Sequence, residues 1–209
     1  ANACVFQTSI KSFFFIKNVG YNKEYVVSSQ VPRNWTPEGI RKMLTVRNEF
    51  TRDAPEIVSA TVSFEIPNGM NGGNPPMYKN GTDSTAAVSM MGLATDENYL
   101  STYQIPLKAG SFFETLSLDS GKIIINEKAV QTLGFENASA AIGQQLRIPG
   151  DLTVFIVKGV CSNFSFLSMQ NAVQPMVFFN VQFTVLHRYL SFKLKPGNVS
   201  ASIAAIEKK

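Results

Sequence analysis

Residues Lys122–Gln170 read KIIINEKAVQTLGFENASAAIGQQLRIPGDLTVFIVKGVCSNFSFLSMQ. The apolar run Ile123–Ile125 passes through Asn126 into helical spacing, with Ala129, Val130 and Leu133 on one face. Gly134 stands where a helix C-terminus needs a residue free to turn left-handed. Ile142–Gly143 leads into a short strand, Gln145–Ile148. Pro149–Gly150–Asp151 is a turn signal, and Leu152–Val160 is a β-branched and aromatic run ending near Cys161. The pattern predicts a strand, a helix and a hairpin around an apolar interior, and nothing in it marks reactive chemistry.

On either side, elements of both kinds alternate. Phe6, Ile10, Phe13 and Lys17 share one helical stripe near the start, with Phe14 beside it. Glu24–Gln30 reads as a strand. Thr36–Pro37 opens a helix, with a Thr cap and Pro at the first helical position, and the pattern runs to about Arg52. Ile57–Ile66 alternates Val58, Ala60, Val62, Phe64 and Ile66 against Ser, Thr and Glu, which predicts a strand with one face toward a helix layer. Pro67–Asp83 is rich in Gly, Asn and Pro and is expected to form neither ladder nor helix. It reads as a mobile linker or as a partner-facing tip, and in the second case Met77 and Tyr78 are the candidate contacts, together with Phe6 and Phe13 on the first helix. Ser84–Leu93 returns as a strand. Asp96–Tyr103 is a short helix with Tyr99, Leu100 and Tyr103 inward. Gln174–Val181 and Tyr189–Leu194 are strands, and a last helix buries Ile203 and Ile206.

The ordered series "GYNKEYVV", "NYLSTYQIPLKAGSFF", "IINEKAVQTLGF", "IGQQL", "IVKGVCSNFSFLSM", "QPMVFF" and "LSFKLKPGNVSASIAAIEK" resembles the extracytoplasmic core domain of MacB-like, FtsX-type ABC transporter permeases. The resemblance implies an α+β fold. A mixed α/β sandwich of porter type, residues 18–95 with 172–209, would be interrupted by a smaller α/β unit, 96–171. Residues 1–17 would continue a transmembrane helix, where the spacing alone equally allows a helix packed on its own domain. It implies a non-catalytic domain on the periplasmic side of a bacterial inner membrane, without cofactor. The implied partners are a cytoplasmic ATPase subunit or domain, a periplasmic adaptor or lipoprotein, and a second copy in the full-length protein. A sensory domain holding a small ligand in an apolar groove between the two units is the alternative. The start without Met or leader, and the end within a helical pattern, fit an ectodomain excised from a longer chain.

Composition agrees with a globular class. Of the 209 residues, 44% are hydrophobic and 16% charged, and the formal net charge is +4. The basic residues are scattered rather than striped, so the electrostatic footprint of nucleic-acid binding is missing. No apolar run approaches the ~20 residues of a membrane span. Chemistry finds little to work with. The single histidine, His187, cannot build a His-pair metal site and is expected at a surface or strand edge. There is no G-x-S-x-G elbow and no phosphate loop. Cys4 and Cys161 read as small apolar side chains rather than a disulfide framework. The carboxylates, including Asp96 and Glu127, show no paired spacing for acid–base work. Glu127 is expected to favour the first turn of a helix.

Overall fold

The structure, a computed structural model, describes residues 20–22, 24–67, 73–114, 120–166, 172–197 and 199–207. The chain opens with strand β1 (Val26–Gln30) and helix α1 (Pro37–Asp53). Thr36 caps α1 by accepting from the Gly39 amide at 3.0 Å, and Pro37 supplies a residue that needs no amide partner there. Ile40, Met43, Arg47 and Phe50 form the buried stripe of α1. Strands β2 (Ile57–Ser63), β3 (Pro76–Lys79), β4 (Val88–Ser89) and β5 (Met91–Thr95) follow, with a 3-10 turn at Ser84–Ala86. Helix α2 (Tyr99–Tyr103) and strand β6 (Leu107–Gly110) precede β7 (Lys122–Asn126), α3 (Glu127–Thr132) and α4 (Ala138–Ala141). The chain ends with β8 (Gln145–Arg147), β9 (Phe155–Cys161), β10 (Met176–Asn180), α5 (Val181–Thr184), β11 (Tyr189–Leu194) and α6 (Val199–Glu207).

All eleven strands join one mixed sheet in the order β1-β11-β2-β5-β10-β7-β9-β8-β3-β4, with β6 paired to β9. The three isoleucines of β7 show how its faces are used. Ile123 and Ile125 pack under α3 with Ala129, Val130, Leu146 and Val177. Ile124 points the other way, into an aromatic cluster of Tyr99, Tyr103, Phe164, Phe166 and Phe178. Under α1 lies a third cluster built from Ile40, Phe50, Val62, Leu190 and Phe192, against which Ile203 and Ile206 of α6 pack. Gly134 takes φ +70° at the end of α3, and the Phe135 amide returns to the Val130 carbonyl at 3.0 Å, the left-handed stop its position predicts.

Two expectations are corrected. The stretch Pro67–Asp83 does contribute to the ladder: Met77 pairs with Val88, and Tyr78 and Lys79 with Arg147 and Leu146. Proline is compatible with the first residue of a strand, where Pro76 stands, so the two prolines do not exclude pairing. Beyond them the sheet rolls over, because the Met90 amide bonds the Pro75 carbonyl at 3.0 Å and Gly92 bonds Gly73 at 2.9 Å. Strand β2 is not open on its Ser/Thr face either. Thr61 and Ser63 are fully buried, because α2 covers that side, while Val58 at the bulge opposite Lys193/Leu194 is 57% exposed. The sheet also runs across the boundary expected at residues 95/96. Strands β3 and β4 pair with the β8 side, and Tyr103 of α2 donates to Ser191 of β11 at 3.1 Å.

Candidate functional site

Met77 is 0% exposed and packs with Met90, Ile123 and Leu146, so it is a core side chain and presents no surface to a partner. Tyr78 is half-buried opposite Arg147 on β8. Phe6 and Phe13 lie outside the described residues.

His187 corrects another expectation. It is 1% exposed, and its Nδ1 lies 3.1 Å from the Val185 carbonyl. Burial holds its imidazole below the ordinary value of 6.5. The unfolded chain therefore protonates first, so the stability contributed by neutral His187 is present above that value and is lost as the pH falls below it. His187→Gln is expected to flatten the fall of the urea midpoint between about pH 7 and pH 5. An unchanged slope would refute the assignment. Cys161 is fully buried, and burial pushes its thiol well above its ordinary value, which favours the protonated form. Among the described residues no group of His, Cys, Asp or Glu is arranged to hold a metal ion.

What the fold does build is two buried polar ties. In the first, the Arg47 guanidinium of α1 donates to Asp96 Oδ2 at 2.6 Å and to Glu97 Oε1 at 2.7 Å. Asp96 also accepts from the Thr61 hydroxyl, from the Val62 amide at 2.6 Å and from the Asn98 amide at 3.0 Å. Burial pushes its carboxyl up to about 6, against the pull of Arg47. In the second, Asn126 accepts from the Ala129 and Met176 amides, both at 2.9 Å, and donates to the Gln174 carbonyl at 2.9 Å. Beside it Glu127 accepts from the Asn163 amide at 3.0 Å, while Asn163 accepts from the Lys128 amide at 2.8 Å. Glu127 thus stands in the first turn of α3, as expected, and in addition secures the chain after β9.

Edge strand β1 and its neighbour β11 run antiparallel. The Leu194 amide bonds the Tyr25 carbonyl at 2.8 Å, and Lys193 Nζ reaches the Glu24 carbonyl at 2.7 Å. The chain therefore enters β1 and leaves β11 side by side. At the opposite end the Val31 amide bonds the Arg188 carbonyl, and the Arg188 amide bonds Ser63. There the Trp35 indole donates to the His187 carbonyl at 2.8 Å and meets the Phe64 ring edge-on, with centroids 5.6 Å apart. A depression lined by Leu100, Ile105, Pro106, Leu107 and Phe112 is open to solvent rather than enclosed.

These features define a sheet-centred domain with two buried polar ties and with the start of β1 beside the end of β11. The chain belongs to the MacB-like periplasmic core domain family, whose model matches residues 12–209. It is therefore a periplasmic domain of the ABC-type transporter permease class. The fold is similar to the periplasmic region of MacB from Actinobacillus actinomycetemcomitans, with a TM-score of 0.58 and 13% identity over 91% of this chain and 87% of that one. It is also similar to the extracellular domain of the noncanonic ABC-type transporter YknZ from Gram-positive bacteria, with a TM-score of 0.51 and 9% identity over 83% of this chain and 78% of that one. No curated protein matches significantly in sequence. Among the described residues no helix is long and apolar enough to cross a membrane.

Proposed function

We propose that this domain is a non-catalytic transmitter, which carries ATP binding and hydrolysis at a cytoplasmic ATPase to events outside the bacterial inner membrane. Those events are substrate export, lipoprotein release or control of a partner protein, with two copies acting together in the full transporter. The observation that supports this reading best is the adjacent entry and exit at Tyr25 and Leu194, because two membrane segments that move can pull on one end of the sheet. Under the division into units 18–95 with 172–209, and 96–171, the crossings fall beside the two buried ties. Asp96 is held by Arg47, and Gln174–Met176 are held by Asn126. Movement at β1 and β11 would pass into the smaller unit through those two fixed points.

The test is hydrogen exchange on the full-length transporter in lipid, with and without MgATP, against a version whose ATPase cannot hydrolyse. Altered protection in β1, β11 and α6 that depends on nucleotide is the expected result. Identical exchange across the domain in every nucleotide state would overturn the coupling.

A further inference from the structure

We infer that the end of the sheet opposite the chain's entry and exit is a docking surface for an acidic protein segment, with Trp35 as its apolar anchor and Arg33 and Arg188 as its charges. Trp35 is the chain's single tryptophan and is 41% exposed. An exposed aromatic ring is unremarkable if it moves freely, but this one is fixed on two sides. Its N–H is held by the His187 carbonyl, and its face by the edge of Phe64. The loop that carries it is pressed onto the first turn of α1, where a Cβ on Gly39 would collide with the Asn34 carbonyl oxygen. A rigid, half-exposed tryptophan loses little conformational freedom on binding, and this residue type dominates the energetic centres of protein interfaces.

Two arginines stand at this end, Arg33 two residues before Trp35 and Arg188 against Phe64, and the carboxylate of Glu38 lies in the first turn of α1. The Arg188 guanidinium lies 4.8 Å from the centroid of Phe64, so the Phe64 ring touches both Arg188 and Trp35. Arg188 Nε is buried without a hydrogen-bond partner. Among the described residues no carboxylate pairs with Arg188, or with Arg33 on the exposed loop. Two guanidiniums beside an anchored tryptophan complement carboxylates placed around an apolar side chain. The support below is also costly to form. Val185, a β-branched residue, is held at φ +55°, and its carbonyl faces the buried His187 ring. Strain of this kind persists only where the surroundings impose it, and it concentrates at sites with a task.

The inference rests on the proposed function in one respect, that this end points away from the membrane. Its test needs no transporter. Because Trp35 is the only tryptophan, emission from the domain reports this surface alone. The probes are a blocked peptide of sequence Glu-Leu-Glu-Phe-Glu and its Lys-Leu-Lys-Phe-Lys counterpart, titrated to about 1 mM at low salt. The acidic peptide is expected to shift Trp35 emission saturably and to bind about tenfold or more tightly than the basic one, with the preference fading in salt. Arg33→Glu, on an exposed loop where folding is not at stake, should abolish the preference, and Arg188→Ala should weaken it. Equal responses to the two peptides, no response to either, or an unchanged preference in Arg33→Glu would overturn the surface. A failed titration leaves the nucleotide-dependent exchange as a separate question, and failed exchange leaves the titration as one.

Discussion

Replacing Arg47 by Met is expected to lower the unfolding free energy by about 3–5 kcal/mol at neutral pH, the range found when one partner of a buried ion pair is removed. Arg47 is 2% exposed and Asp96 0%. Water therefore cannot take the place of the guanidinium, and Met fills much of the volume without supplying a charge. The carboxylate keeps the Thr61 hydroxyl and the Val62 and Asn98 amides, but those neutral donors do not offset a buried negative charge. A domain of this kind is held by about 5–15 kcal/mol, so the loss is a large share of its stability. Adding Asp96→Asn to Arg47→Met should recover part of it, because the amide removes the charge that the missing guanidinium leaves behind. A loss below about 1 kcal/mol would mean that the pair is no stronger than a surface contact.

The same variant has a pH signature with a fixed sign. A carboxyl raised to about 6 in the folded state adds stability that is fully present below its unfolded value and is lost as the pH rises through the folded value. Without Arg47 the carboxyl of Asp96 is pushed higher still. The gap between the wild type and Arg47→Met should then widen from about pH 5 to pH 8. Urea midpoints at both ends of that range decide it, and a constant gap would assign the loss to packing instead of charge.

How legible each element was depends on whether its cause is local. The helix from Pro37 and the strand Tyr189–Leu194 were legible because the cap at Thr36 and the alternation of Leu190, Phe192 and Leu194 lie within the segments themselves. Strand β3 was not legible, since its prolines and neighbouring glycines signal a loop and its partner β8 lies 69 residues on, Tyr78 against Arg147. The burial of Thr61 and Ser63 likewise depends on α2, which reaches β2 only through the fold. Arg47 carried a usable signal: a charged residue standing between Met43 and Phe50 on an apolar helical stripe asks for a buried partner. Which carboxylate answers it, at a separation of 49 residues, no spacing rule could say. The Trp35 surface left the weakest trace, because Trp35, Phe64 and Arg188 come from three segments that meet only where their strands end.

Asn126→Ala should cost about 2–4 kcal/mol, nearly as much as the loss of Arg47, for a different reason. The Asn126 side chain is fully buried and serves three backbone groups at once, the Ala129 and Met176 amides and the Gln174 carbonyl. Loss of a helix cap alone costs about 1 kcal/mol. A buried amide left without a partner adds about 1–3 kcal/mol, and the Met176 amide is one, whereas Gln174 is exposed and water can serve its carbonyl. Asn126→Ser separates the two roles, because a serine at that position can still cap α3 but is too short to bridge to Met176. It should therefore recover about 1 kcal/mol of the alanine loss, while the Met176 amide exchanges as fast as in Asn126→Ala. If serine restored full stability and slow exchange at Met176, the bridge would be incidental and the "INEK" run only a helix start. If it restores the cap alone, Asn126 is the point at which the start of α3 is fastened to the segment that enters β10.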